Sequence, residues 1–214
     1  MTDVSKRPFH GRLCQPLNPS DMYEVFWEKH FSEEGVTISL RPLSFPADEP
    51  LLYELALLEL PERREMADIL FKTKKDELNM LAASDFGQSF LGMVGGQPAF
   101  LAVIHRMQQH IMGHYYSALP GDHKISLERL PVIDGISTDI YAFAMWYSCT
   151  ACFLAFQEVE RLISALDIFR PMEKQYCRAA GFRPLTRIRG SDLEELYCHS
   201  AGPLPVYPSP FRFE

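Results

Sequence analysis

Residues 159–183 constrain the fold of this chain more than any other stretch. Residues 159–166 form an apolar run of strand length, and residues 171–180 have the amphipathic spacing of a short helix. Gly181 and Phe182 then end that helix, and an alternating segment, residues 183–188, follows. A buried strand, a helix and a second strand in this order predict a sheet with helices packed on it. Asp167, at the end of the first strand, is the polar residue that this unit would present.

The rest of the chain extends the same pattern. Apolar alternation, Gly-Gly at a hairpin turn and helical periodicity predict strands at 36–43, 89–94, 98–107, 123–132, 159–166, 183–188 and 194–199, and helices at 46–60, 61–83, 138–157 and 171–180. A short helix is also predicted at 20–30. We expect an N-terminal extension (1–35), one α/β (α+β) domain (36–200) with a mixed central sheet flanked by helices, and a Pro-rich tail (201–214).

Composition excludes several classes of protein. The 214 residues carry a net charge of −7 without a basic run, which argues against a nucleic-acid partner. The longest apolar stretch, 140–156, is too polar for a membrane span, and no secretory leader is evident. Five cysteines, an odd number, indicate a reducing compartment. We expect a cytoplasmic protein, a monomer or homodimer, that binds neither nucleic acid nor membrane.

Two further segments carry a resemblance to a known family. The hairpin at 89–104 and the stretch Gly113-His-Tyr-Tyr-Ser-Ala-Leu-Pro-Gly-Asp-His-Lys-Ile-Ser-Leu, together with Asp167 and Gly181, resemble the GCN5-related N-acetyltransferase superfamily. Within it, they are most similar to acyltransferases of siderophore biosynthesis, which acylate hydroxylamines. The resemblance implies an acyl-CoA N-acyltransferase fold, acetyl-CoA or another acyl-CoA as donor, and a small-molecule amine or hydroxylamine as acceptor.

The resemblance also assigns catalytic positions. Those enzymes use a strand histidine and an aspartate to deprotonate or position the acceptor, and Asp167 matches the aspartate. Ser126 stands where the histidine is expected, and His123, three residues earlier, falls on the opposite face of a strand unless that strand begins later. Asp167 could equally cap the helix that begins near Pro171, and both roles can hold together.

A third assignment is the cofactor loop. In the family a Gly-rich turn at a helix N-terminus holds the pyrophosphate of acyl-CoA with backbone N–H groups. The corresponding positions are Val132, Ile133, Gly135, Ile136, Ser137 and Thr138. Gly135 is the one glycine of this segment, and Asp134 and Asp139 add negative charge where phosphates would lie. An ordinary helix start capped by Ser137 or Thr138 fits these residues better, which leaves open a catalytically inactive relative that serves as a binding or scaffold protein.

The remaining polar motifs are interpreted as structural. Cys149 and Cys152 have a redox or zinc spacing, but they interrupt an apolar helix and are expected to pack in the core. Cys177 stands at the position of the family's general-acid tyrosine and Tyr176 beside it. The histidines at 105, 110 and 114 have no acidic partner nearby in sequence, so no metal site is predicted. The resemblance implies that they could instead line an acceptor cleft. An acyl-carrier protein and an aminoacyl-tRNA are both anionic, so the negative net charge of the chain argues against either of them as the acyl donor.

Overall fold

The computed structural model describes residues 13, 25, 27–32, 35–114, 116, 118–130, 138–167, 171–187 and 194–200. Its strands are β1 (Trp27–Phe31), β2 (Val36–Pro42), β3 (Gly87–Val94), β4 (Gln97–Arg106), β5 (Asp122–Arg129), β6 (Arg161–Asp167), β7 (Arg183–Arg187) and β8 (Glu194–Ser200). Its helices are α1 (Glu49–Glu59), α2 (Arg64–Ala82), α3 (Thr138–Phe153) and α4 (Pro171–Ala179), with two 3₁₀ helices at Met107–Gln109 and Ile111–His114.

The eight described strands form one sheet in the order β1-β2-β3-β4-β5-β6-β8-β7. Neighbouring strands run antiparallel except β5 and β6, which are parallel and are joined through α3. A parallel pair needs such a long crossover, whereas the antiparallel pairs β3–β4 and β7–β8 need only short connections. The predicted α/β class with a mixed, helix-flanked sheet is therefore confirmed.

The sheet separates two apolar clusters, since alternate residues of each strand point to opposite faces. On one face Phe100 and Ile104 of β4 pack with α3 and α4 in the larger cluster, which also includes Phe153. On the other face Leu101 and Val103 of the same strand pack with α1 and α2. We call these the α3 face and the α2 face.

The predicted helix at 20–30 is wrong in its described part. Residues 27–31 form β1 instead, which pairs antiparallel with β2 from Trp27↔Leu40 to Phe31↔Val36. Trp27 and Phe31 are buried, whereas Val25, within the range of the predicted helix, is exposed. Two buried residues four apart suit a helix and a strand equally, and pairing with β2 decides for the strand. The boundary between an N-terminal extension and the domain at residue 35 stays a prediction, although β1 belongs to the same sheet as the other strands. The predicted tail, residues 201–214, lies outside the described part.

One glycine of the sheet has no room for a side chain. A Cβ on Gly92 of β3 would lie 2.1 Å from the Phe100 ring, which crosses the glycine from the neighbouring strand and is fully buried. A ring enclosed in the core has little freedom to retreat.

We expect Gly92→Ala to lower the free energy of unfolding by about 1–3 kcal/mol through overpacking. Urea denaturation measures this change. The double variant Gly92→Ala/Phe100→Leu should be more stable than the sum of the two single changes, because the smaller side chain makes room for the methyl group. Strict additivity of the two changes would contradict this explanation.

Candidate functional site

The parallel strands β5 and β6 stay together for only three residue pairs. The pairs are Asp122↔Arg161, His123↔Leu162 and Lys124↔Ile163, after which no pairing links the described residues of the two strands. On its other side β5 remains paired with β4 up to Arg129. The β5–β6 ladder therefore ends there, and residues 125–129 of β5 and 164–167 of β6 are not paired with each other. We call this gap in the pairing of the sheet the β5–β6 cleft, with its closed end at the three pairs.

A buried ion pair fixes the closed end. Arg161 donates from Nε to Asp122 Oδ1 and from Nη2 to Oδ2, both at 2.6 Å, and the Asp122 side chain is fully buried. Tyr116 Oη donates to Oδ2 at 3.1 Å, and the Leu119 backbone N–H donates to the same oxygen at 2.9 Å. The hydrogen bond with Asp122 raises the pKa of Arg161. Asp122 thus ties β5 to β6 and to the turn that precedes β5.

The backbone of that turn holds the two strands together as well. The Gly121 carbonyl accepts the N–H groups of Glu160 and Arg161 at 2.9 and 3.2 Å. A Cβ on Gly121 would lie 2.5 Å from Glu160 Cγ, so the close approach requires glycine here.

Of the predicted catalytic residues, Ser126 borders the cleft on β5 and Asp167 ends β6. Ser126 lies opposite Val103 of β4, whose side chain belongs to the α2 face. Asp167 pairs with Glu194 of β8, and its side chain is outside the described part. The fold thus brings these two residues, far apart in sequence, onto the two strands that flank the β5–β6 cleft.

His123 lies elsewhere. Because β5 begins at Asp122, His123 is within the strand and points to the α3 face, opposite Ser126. Its Nδ1 lies 3.2 Å from the Gly121 carbonyl oxygen, its Nε2 has no hydrogen-bond partner among the described residues, and burial lowers its pKa. It lines a small cavity of about 260 Å³ beside Arg106 and Glu158, which form an ion pair at 3.3 Å.

His105 and His110, noted in the sequence, form a cluster on the α2 face at the closed end with Lys124, which sequence reasoning missed. Lys124 of β5 stands opposite His105 of β4, and Lys124 Nζ is 3.1 Å from His110 Nε2. The rings of His105 and His110 are 5.1 Å apart. Burial lowers the pKa of each histidine to about 4, with repulsion between the two rings adding for His105 and repulsion from Lys124 for both. Strand alternation predicts that Lys124 and Ser126 share a face, but no sequence pattern predicts that His110 folds over them.

The predicted cofactor residues fall largely outside the described part. The structure does not describe Val132, Ile133, Gly135, Ile136 and Ser137. Thr138 is described only as the first residue of α3, without its side chain. The described residues still offer a fit for an extended ligand. The β5 backbone between Ile125 and Arg129 has no strand partner toward β6, so its edge N–H and C=O groups face the cleft, and the N-terminus of α3 follows that edge by nine residues.

Three cysteines and Tyr176 pack in the core. Cys149, Cys152 and Cys177 are buried, and burial raises the pKa of each thiol well above its ordinary value, so none is a ready nucleophile. Tyr176 is buried too. Within the described ranges no group of three or more His, Cys, Asp or Glu side chains could hold a metal ion. None of the described helices has the length and apolar character to cross a membrane.

Solved structures share this architecture. An uncharacterized protein from Bacillus halodurans superposes with a TM-score of 0.66 at 15% identity, over 81% of this chain and 89% of that protein. The aminoglycoside acetyltransferase AAC(6')-Ib, solved with coenzyme A and kanamycin, gives 0.61 at 15% identity over 76% and 94%. RimJ of Mycobacterium smegmatis, solved with CoA-disulfide, gives 0.54 at 15% identity over 77% and 82%. No protein-family model and no curated protein matches the sequence.

The chain therefore has the fold of the GCN5-related N-acetyltransferases. Two features of the structure support the fold that the sequence predicts. One is the order of the strands in the sheet, and the other is the short parallel ladder between β5 and β6.

We expect Asp122→Ala to destabilise the protein by about 2–4 kcal/mol, because it leaves the Arg161 guanidinium without its carboxylate and removes the acceptor for the Leu119 N–H. Lys75→Ala is the matched control. It removes an ion pair with Glu49 whose side chains are 32% and 28% exposed, and should cost about 1 kcal/mol or less. Urea denaturation compares the two; equal losses would contradict the role given to Asp122.

Stability should also fall with acid because of His105. Its folded pKa of about 4 lies below the ordinary value of 6.5, so between these pH values the unfolded chain binds more protons than the folded one. The free energy of unfolding then decreases as pH falls through this window. His105→Phe should flatten the slope by up to about 1.4 kcal/mol per pH unit. Urea denaturation at pH 7.5 and pH 5 gives the difference in the free energy of unfolding between the two pH values. A loss of packing in the variant is the same at both pH values and does not affect this difference. An equal difference in the parent and the variant would contradict a neutral, buried His105.

Proposed function

We propose that the protein is an acyl-CoA-dependent N-acyltransferase that moves an acyl group to an amine or hydroxylamine of a small molecule. The observation that carries the proposal is the β5–β6 cleft, between parallel strands that are held together at Asp122 and Arg161 and are unpaired beyond Lys124 and Ile163. Two of the superposable proteins, an aminoglycoside acetyltransferase and RimJ, were solved with a form of coenzyme A. An acyl-CoA is therefore the donor that this fold and cleft favour.

The chain offers the donor a backbone edge and a helix start. Backbone N–H groups at Val132, Ile133 and residues 135–138 are the proposed ligands of the coenzyme, with the helix dipole of α3 adding to the attraction for phosphate. When bound, the donor supplies the thioester whose carbonyl carbon the acceptor attacks. An N–H of the unpaired β5 edge can hold the carbonyl oxygen as charge develops on it.

Asp167 and Ser126 are the proposed catalytic residues. From opposite strands of the cleft they can take or orient the acceptor's proton, so that the nitrogen attacks with a free lone pair. The new bond joins nitrogen to the carbonyl carbon, the C–S bond breaks, and the departing thiolate accepts the proton. His123, on the other face of β5, is not placed to share this task without movement of the strand.

A hydroxylamine acceptor of the siderophore type is the finer part of the proposal. It rests on the similarity of residues 89–104 and 113–127 to that group of acyltransferases. Comparing steady-state rates with a simple amine and an N-hydroxylated amine of equal length would decide between the two acceptor classes.

One observation favours a second candidate, a binding or scaffold protein of this fold that has lost its coenzyme. Residues 131–139 contain a single glycine, Gly135, and two aspartates, at 134 and 139, which oppose phosphate binding. The two candidates differ in whether any acyl-CoA binds.

If the transferase proposal is right, acyl-CoA should stabilise the protein against heat. A ligand at 100 times its Kd adds about 2.7 kcal/mol to the free energy of unfolding, which calorimetry resolves as a higher midpoint. Acetyl-CoA and longer acyl-CoAs are tested, with adenosine as the control for the nucleoside alone. An unchanged midpoint with every acyl-CoA would favour the scaffold.

Asp167→Asn should lower kcat by about 100-fold or more if the carboxylate handles the acceptor's proton. Affinity for acyl-CoA should not change, because the proposed coenzyme ligands are backbone groups elsewhere. Glu195→Gln, a carboxylate change on neighbouring β8, is the matched control and should keep most of the activity. Rates are measured by thiol release with acetyl-CoA; an Asp167→Asn enzyme as fast as the parent would remove Asp167 from the mechanism.

A further inference from the structure

The cavity of about 260 Å³ beside His123 lies on the α3 face at the closed end, with the sheet between it and Ser126. Its described lining consists of Arg106, Gln108, Gln109, Pro120, His123 and Glu158. The two glutamines and the proline are exposed and form the rim, whereas His123 is 1% exposed and lies at the inner end. The fold thus turns His123 away from the β5–β6 cleft and against a separate cavity.

His123 brings an unsatisfied hydrogen-bond acceptor to this cavity. A carbonyl oxygen can only accept, so the contact of 3.2 Å between Nδ1 and the Gly121 carbonyl oxygen places the ring hydrogen on Nδ1. Burial lowers the pKa of His123, so the ring is neutral at pH 7 and Nε2 carries a lone pair without a hydrogen. Nε2 has no hydrogen-bond partner among the described residues. A buried acceptor in this state is costly, and a donor from outside the described chain would satisfy it.

Arg106 supplies donors next to this acceptor. It stands directly opposite His123 in the ladder between β4 and β5, so the two side chains are neighbours on the same face. The guanidinium has five N–H groups and makes one hydrogen bond with the described residues, from Nη2 to Glu158 Oε2 at 3.3 Å. The Glu158 carboxylate also accepts the Leu13 N–H. Arg106 is therefore directed to Glu158 and does not satisfy Nε2 of His123.

The side chains of the cavity argue against an ion as its ligand. A metal cation would face the Arg106 guanidinium, and no group of three or more ligating side chains occurs within the described ranges. An anion would face the Glu158 carboxylate and, at His123, a lone pair instead of a donor. A neutral molecule with an N–H group for Nε2 and a carbonyl oxygen for the guanidinium avoids both conflicts. A primary carboxamide carries these two groups on one carbon atom.

We propose that this cavity is a second binding site, for a compact uncharged molecule with a primary carboxamide. The amide N–H donates to His123 Nε2, which a small rotation of the enclosed ring brings to the cavity, and the amide oxygen accepts from Arg106. A water molecule can also donate to Nε2, but it takes up only about 30 Å³ in the liquid, so the cavity has room for a larger occupant. Pockets for drug-sized ligands measure about 300–1,000 Å³, so this one suits a smaller molecule.

The site does not depend on the proposed function. The sheet lies between the cavity and the β5–β6 cleft, and neither His123 nor Arg106 has a part in the proposed acyl transfer. The experiments therefore measure the state of His123 and the binding of an amide, and neither needs acyl-CoA.

The first experiment finds which ring nitrogen of His123 carries the hydrogen. Long-range proton–nitrogen NMR spectra of protein with isotopically labelled histidine distinguish a protonated ring nitrogen from one without a hydrogen. The signals that disappear in His123→Phe assign the residue. At pH 7.5 we expect the hydrogen on Nδ1 and none on Nε2. A hydrogen on Nε2 would overturn the inference, because Nε2–H cannot accept from an amide.

The second experiment adds propionamide, with N,N-dimethylpropionamide and propionate as controls that lack the N–H donor. We expect propionamide to shift the Nε2 resonance of His123 in a saturable way and to bind about fivefold or more tightly than either control. Absence of a saturable shift would leave water as the occupant and overturn the inference. Equal affinity for propionamide and its dimethyl form would overturn the carboxamide as the group that is recognised.

Variants test the two binding residues. Arg106→Met removes the donors and His123→Phe removes the acceptor, so each should weaken propionamide binding by about fivefold or more, measured by saturation-transfer NMR on the ligand signals. Arg106→Met should keep the hydrogen on Nδ1 of His123, which shows that the ring keeps its place. Arg63→Met, a change of an exposed arginine beside α2, is the matched control and should leave the affinity unchanged. Binding by Arg106→Met as tight as in the parent protein would contradict the proposed site.

Discussion

The Asp122–Arg161 pair is the interaction on which the geometry of the cleft depends. A fully buried carboxylate is costly unless ionic and hydrogen-bonding partners surround it, and Asp122 has four such bonds, two of them from Arg161. They fix the parallel strands in register where β5 and β6 begin, while no backbone pairing links the described residues of the two strands farther on. The cleft is therefore a consequence of strands that are held at one end and diverge at the other.

The alternation of side chains along β5 divides the chemistry of the site between two faces. Residues 123, 125 and 127 point to the α3 face, where Ile125 packs in the large apolar cluster. Residues 124, 126 and 128 point to the α2 face and are all polar. An antiparallel neighbour on one side and an open edge on the other leave this polar row beside the cleft. A change of register by one residue would exchange the faces and bury the polar row in the core.

Most of the fold could be predicted from sequence because it depends on local signals. The Gly95-Gly96 turn, the apolar runs of β3 and β4 and the Gly181 stop each specify one element, and their order is sufficient for the topology. The error at Trp27–Phe31 arose where a spacing of four suits both a helix and a strand. The site was less predictable: Ser126 and Asp167 came from a resemblance, and Lys124 was missed because its partner, His110, lies on an irregular segment without periodicity.

The distances along the strands relate the two proposed catalytic positions to the closed end of the cleft. Lys124 is paired with Ile163, and Asp167 lies four residues farther along β6, about 13 Å toward the open end. Ser126 lies two residues beyond Lys124 on β5, about 7 Å from the last pair of the ladder. Under the proposed function, the acceptor therefore meets Ser126 and Asp167 beyond the ladder, where the edge of β5 toward β6 is unpaired, and not at the buried pair of Asp122 and Arg161.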